Sequence, residues 1–210
     1  MQTTRGLDRL VFFTDAVTAI AITLLILPLV TSVTEAAAAG HTAAQFLGDN
    51  VDQLAAFALS FAVIARFWVS HHAMFEHITS YNGQLLLLSL IWAFTIVVLP
   101  LPTEMISQFK TTPATIGIYI GTLTVSSLTL TVMALLIRKH PVLEDPNNPL
   151  KGNRAFASIS TTILFAIALV IGVLVPPINF FALLIVFLSI PAQAIYDRRA
   201  AARAPIRTIR

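Results

Sequence analysis

The sequence contains no cysteine, and charged side chains make up only 11% of its 210 residues. Without cysteine there is no disulfide scaffold. Soluble domains carry about 25% charged residues, so this scarcity excludes an ordinary cytosolic enzyme, and the apolar content excludes a disordered chain. No alternating strand pattern is present, and no low-complexity segment beyond the short run Ala36 to Ala39. What remains is apolar. Hydrophobic residues reach 57% and the mean hydropathy is +0.84, the composition of a polytopic membrane protein. A spanning helix takes about 20 residues across a ~30 Å hydrocarbon core, so any chemistry sits in or between helices.

Apolar runs broken by turn and charge clusters predict an all-α chain with six transmembrane helices, at about 10–30, 54–72, 85–102, 116–137, 155–175 and 178–196. They form one unit covering 1–210. Pro100 and Pro102 close the third span, and Pro176 and Pro177 divide the last apolar stretch into a hairpin, because proline does not continue a helix. The fourth span has no charge but many Ser and Thr, whose hydroxyls return to the backbone or bond across helices. A secretory signal reading of the first span, with cleavage near Ala36 to Ala38, fits less well: the run is nearer ~20 residues than 7–15 and it contains Asp15.

Lys and Arg near the span ends orient the chain. Arg5 and Arg9 precede the first span, Arg138, Lys139, Lys151 and Arg154 follow the fourth, and Arg198, Arg199, Arg203, Arg207 and Arg210 follow the sixth. The segment from Thr31 to Asn50 has neither Lys nor Arg and carries Glu35 and Asp49. Both termini of this multi-pass protein are therefore expected in the cytoplasm. The net charge of +3 then reflects an inner rim that meets anionic lipid. Nucleic acid is not expected as a partner, since the basic residues lack interleaved aromatics.

The first span is the informative one. A carboxylate within a membrane helix is costly unless partnered and marks a candidate site; here it is Asp15. At about 100° per residue, Ile20, Thr23, Leu24 and Leu27 share a stripe, from which Asp15 is displaced by about 140° relative to Ile20. One face thus carries branched apolar groups with a single hydroxyl. The other carries a carboxylate that Arg66, His71 or His72 of the second span is placed to neutralise. Spacing alone leaves the apolar stripe free to face lipid, core or a pore, and leaves Thr23 free to bond back to the Ala19 carbonyl.

Arg9, Phe13, Thr14 and Asp15, followed by Ala19-Ile20 and Thr23-Leu24, resemble the Arg-x-x-x-Phe-Ser-Asp signature of the transmembrane protein 175 potassium channels, with Thr in place of Ser. Trp68, His71, His72 and Phe75 are similar to that family's Trp-x-x-His-His-x-x-Phe segment, and Pro100-Leu101-Pro102-Thr103 resembles its Pro-Phe-Pro-Thr. Leu101 and Ala93 depart from the usual Phe and Asn. The likeness covers the first three spans; the last three agree in number and hydropathy. It implies a homotetramer whose pore is lined by the first span, with a hydrophobic constriction at Ile20, Thr23 or Leu24, and Leu27 serving as filter and gate. Arg9, Phe13, Thr14, Asp15, Arg66, Trp68, His71 and His72 become a structural network and gating support.

The function expected is a K⁺-preferring cation channel, with K⁺ as permeant ion and no cofactor. A proton-coupled transporter or proton pathway through Asp15 and the histidines is the alternative. No catalytic residue is expected, since Asp15, Glu76 and Glu104 lack the spacing of an acid–base pair. No bound metal is expected either, with no His-Glu-x-x-His motif. Ile116 to Gly121 only superficially resembles a carbonyl filter, and it opens a spanning helix.

Overall fold

The computed structural model describes residues 4–150, 152–175, 178 and 183–186. Among them, all regular structure is helical: α1 (Thr4–Leu24), α2 (Leu27–Ala38), α3 (Ala43–Asp49), α4 (Val51–Phe75), α5 (Gly83–Val98), α6 (Pro100–Gln108), α7 (Pro113–Lys139), a short 3₁₀ turn at Pro141–Leu143, and α8 (Gly152–Leu174). Five segments are long and apolar enough to cross a membrane: Arg5–Ala38, Val51–Phe75, Gly83–Gln108, Pro113–Lys139 and Arg154–Leu174. The sixth expected span, 178–196, lies outside the described residues except at 178 and 183–186, and so does the basic tail beyond it.

Proline accounts for the main departures from the expected boundaries. The first span continues beyond residue 30 to Ala38 but is broken at Leu25 and Ile26. Pro28 has no N–H for the Leu24 carbonyl, and its ring crowds that carbonyl. The chain turns, with Ile26 N–H reaching Thr23 at 3.4 Å, and restarts with proline in its first turn. Pro100 and Pro102 do not close the third span. They sit in the first turn of α6, where a missing N–H costs little, so the span continues to Gln108 after a junction at Leu99.

Within the bundle, α7 packs against α8, α5, α6 and α4, and α1 lies against α4 and α5. Tyr119, Ile120, Leu123, Met133 and Ile137 of α7 are buried with Ile64, Phe67, Leu85, Trp92, Ile96 and Phe165. Phe67 meets Phe165 at 5.3 Å between ring centroids, tying α4 to α8. The hydroxyls of α7 follow both routes open to them. Thr122, Thr124 and Thr129 bond back to carbonyls four residues earlier. Ser127 and Thr131 cross to α8, meeting Thr162 at 2.8 Å each, and Thr131 also meets Ser158 at 2.8 Å.

At one end of the bundle two loops clasp through main chain. Thr79 N–H donates to Leu143 O (3.0 Å) and Asp145 N–H to His77 O (2.8 Å), forming an isolated antiparallel bridge between Ile78 and Glu144. Arg154 reaches across to the Ala73 carbonyl at the end of α4 at 3.1 Å, a cation meeting the negative end of a helix.

Candidate functional site

Two faces of α1 differ sharply. Leu7, Leu10, Thr14, Thr18, Ala21 and Leu25 are buried, spaced by the three- and four-residue steps that put side chains on one side of a helix. Small and polar members of this row stay close to the backbone. Thr14 Oγ1 donates to the Val11 carbonyl (2.9 Å), with the Leu10 carbonyl at 3.1 Å, and Thr18 Oγ1 donates to Thr14 O at 2.8 Å. The neighbouring helices can therefore approach without an unsatisfied hydroxyl between them.

The opposite side of α1 is uncovered by the chain's own described helices. Ile20 is 59% exposed, Leu24 41% and Leu27 55%; Thr23, Phe13 and Arg9 are exposed as well. Thr23 Oγ1 donates to the Ile20 carbonyl at 2.8 Å rather than to Ala19, drawing its hydroxyl along the helix. Leu27 lies beyond the Pro28 break, so a single straight wheel does not relate it to Ile20. It is still exposed.

Asp15 is half-buried, and its partner is an indole: Trp68 Nε1 donates to Asp15 Oδ1 at 2.8 Å. This joins α1 to α4 and differs from the neutralisation by Arg66, His71 or His72 anticipated from charge. Helix geometry explains the choice. Arg66 stands two residues from Trp68, about 200° around α4, and it faces α8, with Nη2 3.4 Å from Thr161 Oγ1. His72 stacks under Trp68 at 5.4 Å and lies 3.5 Å from Glu76, one turn on in its own helix. His71 is fully buried, stacked nearly parallel on Trp92 of α5 and against Phe75, both at 4.3 Å.

The structure thus gathers Asp15, Trp68 and His72 in one group and His71, Phe75 and Trp92 in another, with Arg66 on the far side of α4. Trp92 and the Pro28 break were missed by sequence reasoning. The signal for the break was present as a proline inside an apolar run. A chain of hydroxyls, Tyr119 to Ser60 (2.8 Å) and Ser60 to Thr103 (3.0 Å), was also missed, because nothing in the spacing relates residues 43 and 59 apart. Among the described residues there is no group of three or more His, Cys, Asp or Glu placed to hold a metal.

Comparison with known proteins bears on the same helices. Residues 9–100 match the model of the family described as endosomal/lysosomal potassium channel TMEM175. A potassium channel of Streptomyces collinus is 36% identical over 100 residues, 46% of this chain and 46% of the relative, so the match spans about half the relative's length. A solved structure of a TMEM175 homolog from Chamaesiphon minutus, titled a lysosomal potassium-selective channel, superimposes with a TM-score of 0.64 at 19% identity, covering 95% of this chain and 98% of that one. These similar proteins are ion channels, not enzymes. Residues 9–100 are therefore similar in sequence to the TMEM175 family, and the chain shares the helical fold of the homolog from Chamaesiphon minutus.

Proposed function

We propose that this chain is one subunit of a K⁺-preferring cation channel, a homotetramer in which α1 lines the pore. One observation carries the reading: Ile20, Thr23 and Leu24 occupy the side of α1 that the described residues leave bare, with Leu27 exposed at the start of α2, while the opposite side of α1 is packed. Copies arranged about an axis would turn these rows toward one another. A narrow apolar collar holds water poorly and gates by dewetting. An ion entering it sheds hydration, which costs less for K⁺ than for the smaller Na⁺, so a modest preference arises without a carbonyl cage.

The remaining features are assigned roles around that pore. The whole chain acts as a single unit with both termini in the cytoplasm of a bacterial inner membrane, and its basic inner rim rests on anionic lipid. K⁺ is the permeant ion and no cofactor takes part. Asp15 and Trp68 hold α1 against α4, with His72 stacked under Trp68, and Arg9, Phe13, Thr14, Arg66 and His71 serve as structural and gating support around them. The Asp15–Trp68 bond supports a holding role over a proton relay, since an indole N–H donates a hydrogen bond but does not pass a proton on.

Purified protein in liposomes tests the reading. A K⁺ gradient should drive flux when an ionophore clamps charge, and Ile20→Asn or Leu27→Asn should wet the collar and reduce the K⁺ over Na⁺ preference. Unchanged reversal potentials in both variants would remove these residues from the filter. Flux strictly tied to a proton gradient would favour a transporter, and a monomeric particle would leave α1 no partners with which to enclose a pore.

A further inference from the structure

The break in the first span bends α1 into α2 without exchanging their sides. On the packed side, Thr18, Ala21, Leu25 and Leu29 are buried and Ser32 and Ala36 half-buried, a row of three- and four-residue steps that runs through the break. Its neighbours are shared across the break. Leu25, Pro28 and Leu29 line one small cavity with Gln53 of α4 and Thr103 of α6, and Ser32 meets the Gln53 side chain at 3.2 Å. On the bare side, the steps from Ile20 and Leu24 through Leu27 lead to Thr31 and Thr34, both exposed.

The character of the bare row changes beyond the break. The 34 residues from Arg5 to Ala38 rise about 51 Å at 1.5 Å each, against a hydrocarbon core of ~30 Å. Counted from Arg9 at the inner headgroups, the core ends near Leu29, so Thr31 and Thr34 stand beyond it. Their hydroxyl protons are engaged. Thr31 Oγ1 donates to the Leu27 carbonyl at 3.2 Å and Thr34 Oγ1 to the Val30 carbonyl at 3.1 Å, and each oxygen keeps a lone pair for a guest. Glu35 is exposed one turn after Thr31, about 40° around the helix from it. The ion pairs among the described residues, His41–Asp49 and His72–Glu76, leave Glu35 out, and from Thr31 to Asn50 the sequence holds no Lys or Arg.

We propose that α2 carries the conduction path outward past the apolar collar, as a mouth lined by Thr31 and Thr34 with Glu35 at its rim. The inference rests on the pore assignment of α1 given above. Four copies bring four Glu35 carboxylates around one axis, and a ring of one sign raises the local concentration of the oppositely charged ion. Monovalent cations gather there and anions are turned away. The threonine oxygens receive an ion that is beginning to lose water before it meets Leu27 and Ile20. Such a ring sets throughput and not the K⁺ over Na⁺ preference, because a charge acting through water attracts both ions alike.

The lack of cysteine in the chain makes the lining directly testable. The full chain in planar bilayers, carrying Thr31→Cys or Thr34→Cys, should lose most of its K⁺ current when a membrane-impermeant cationic thiol reagent is added on the outer side. Val33→Cys, at a position that is exposed but about 160° around α2 from Thr31, should keep its current. Glu35→Gln should lower inward K⁺ conductance roughly threefold at about 0.01 M salt, where the Debye length is ~30 Å, and leave it unchanged at about 1 M, where it is ~3 Å. Its reversal potential should match that of the unaltered protein. Equal block at Val33→Cys and Thr34→Cys would overturn the proposal. So would current that survives the reagent at both threonine positions while Ile20→Asn still changes the K⁺ over Na⁺ preference, or a Glu35→Gln conductance equal to that of the unaltered protein at the lower salt. Absence of K⁺ flux from the unaltered protein would overturn the pore reading itself, and this lining with it.

Discussion

Replacing Trp68 with Phe keeps a ring above His72 and deletes the one N–H that Asp15 receives from α4. The 2.8 Å separation lies in the range of charge-assisted bonds, which contribute about 1.5–3 kcal/mol net in soluble proteins. Two features lower that figure. Both side chains are only half-buried, and an unfolded chain in a membrane finds other partners, so cross-helix bonds there average about 0.6 and reach about 1.7 kcal/mol. The charge on Asp15 places this bond near the top of the membrane range. A double-mutant cycle of Trp68→Phe and Asp15→Ala should therefore give a coupling of about 1–1.5 kcal/mol, roughly tenfold in the folded-to-unfolded ratio. Unfolding in mixed micelles by a graded denaturing detergent measures it, with each single variant and the double compared. A coupling near zero would refute the claim that this bond holds α1 to α4, leaving Trp68 as a packing residue for His72 alone.

Three further outcomes are expected. A Cβ at Gly6 would stand 2.6 Å from Tyr81 Oη and 3.1 Å from its Cε1, so Gly6→Ala should destabilise by about 1–2 kcal/mol through overpacking. In a Tyr81→Ala background, which removes the whole ring, the same change should become neutral or stabilising by up to about 1 kcal/mol, because alanine favours helix; an equal cost in both backgrounds would exclude the clash. Thr131→Val removes two hydroxyl contacts between α7 and α8 and should cost about 1–2 kcal/mol, read as a lower unfolding midpoint. Pro28→Ala gives the Leu24 carbonyl an N–H and should straighten the first span. Spin labels at Ala16 and Glu35 would then report a longer distance; an unchanged distance would show that tertiary packing, not proline, sets the bend.

The spans were legible because burial in lipid requires long apolar runs whatever the side chains' partners, and all five described segments fall on runs found in the sequence. The breaks were less legible. Pro28 lies within a run that hydropathy treats as continuous, and Pro100 and Pro102 act as helix openers only because the chain turns at Leu99. The site was legible to the level of which residue needed a partner, not which partner it finds. Charge balance points Asp15 toward Arg66 or a histidine, but rotation around α4 sends Arg66 to α8 and presents the Trp68 indole instead.

The clasp between the loops after α4 and α7 helps explain why the fold extends further than the resemblance in sequence. The family match stops at residue 100, whereas the structural superposition covers 95% of the chain. Two of the stitches between these loops run from peptide N–H to peptide C=O, at Thr79 with Leu143 and Asp145 with His77. Peptide groups are common to every non-proline residue, so these stitches place almost no demand on which side chains are present. Side chains on either side of this clasp can thus vary while the two loops stay fastened to one another.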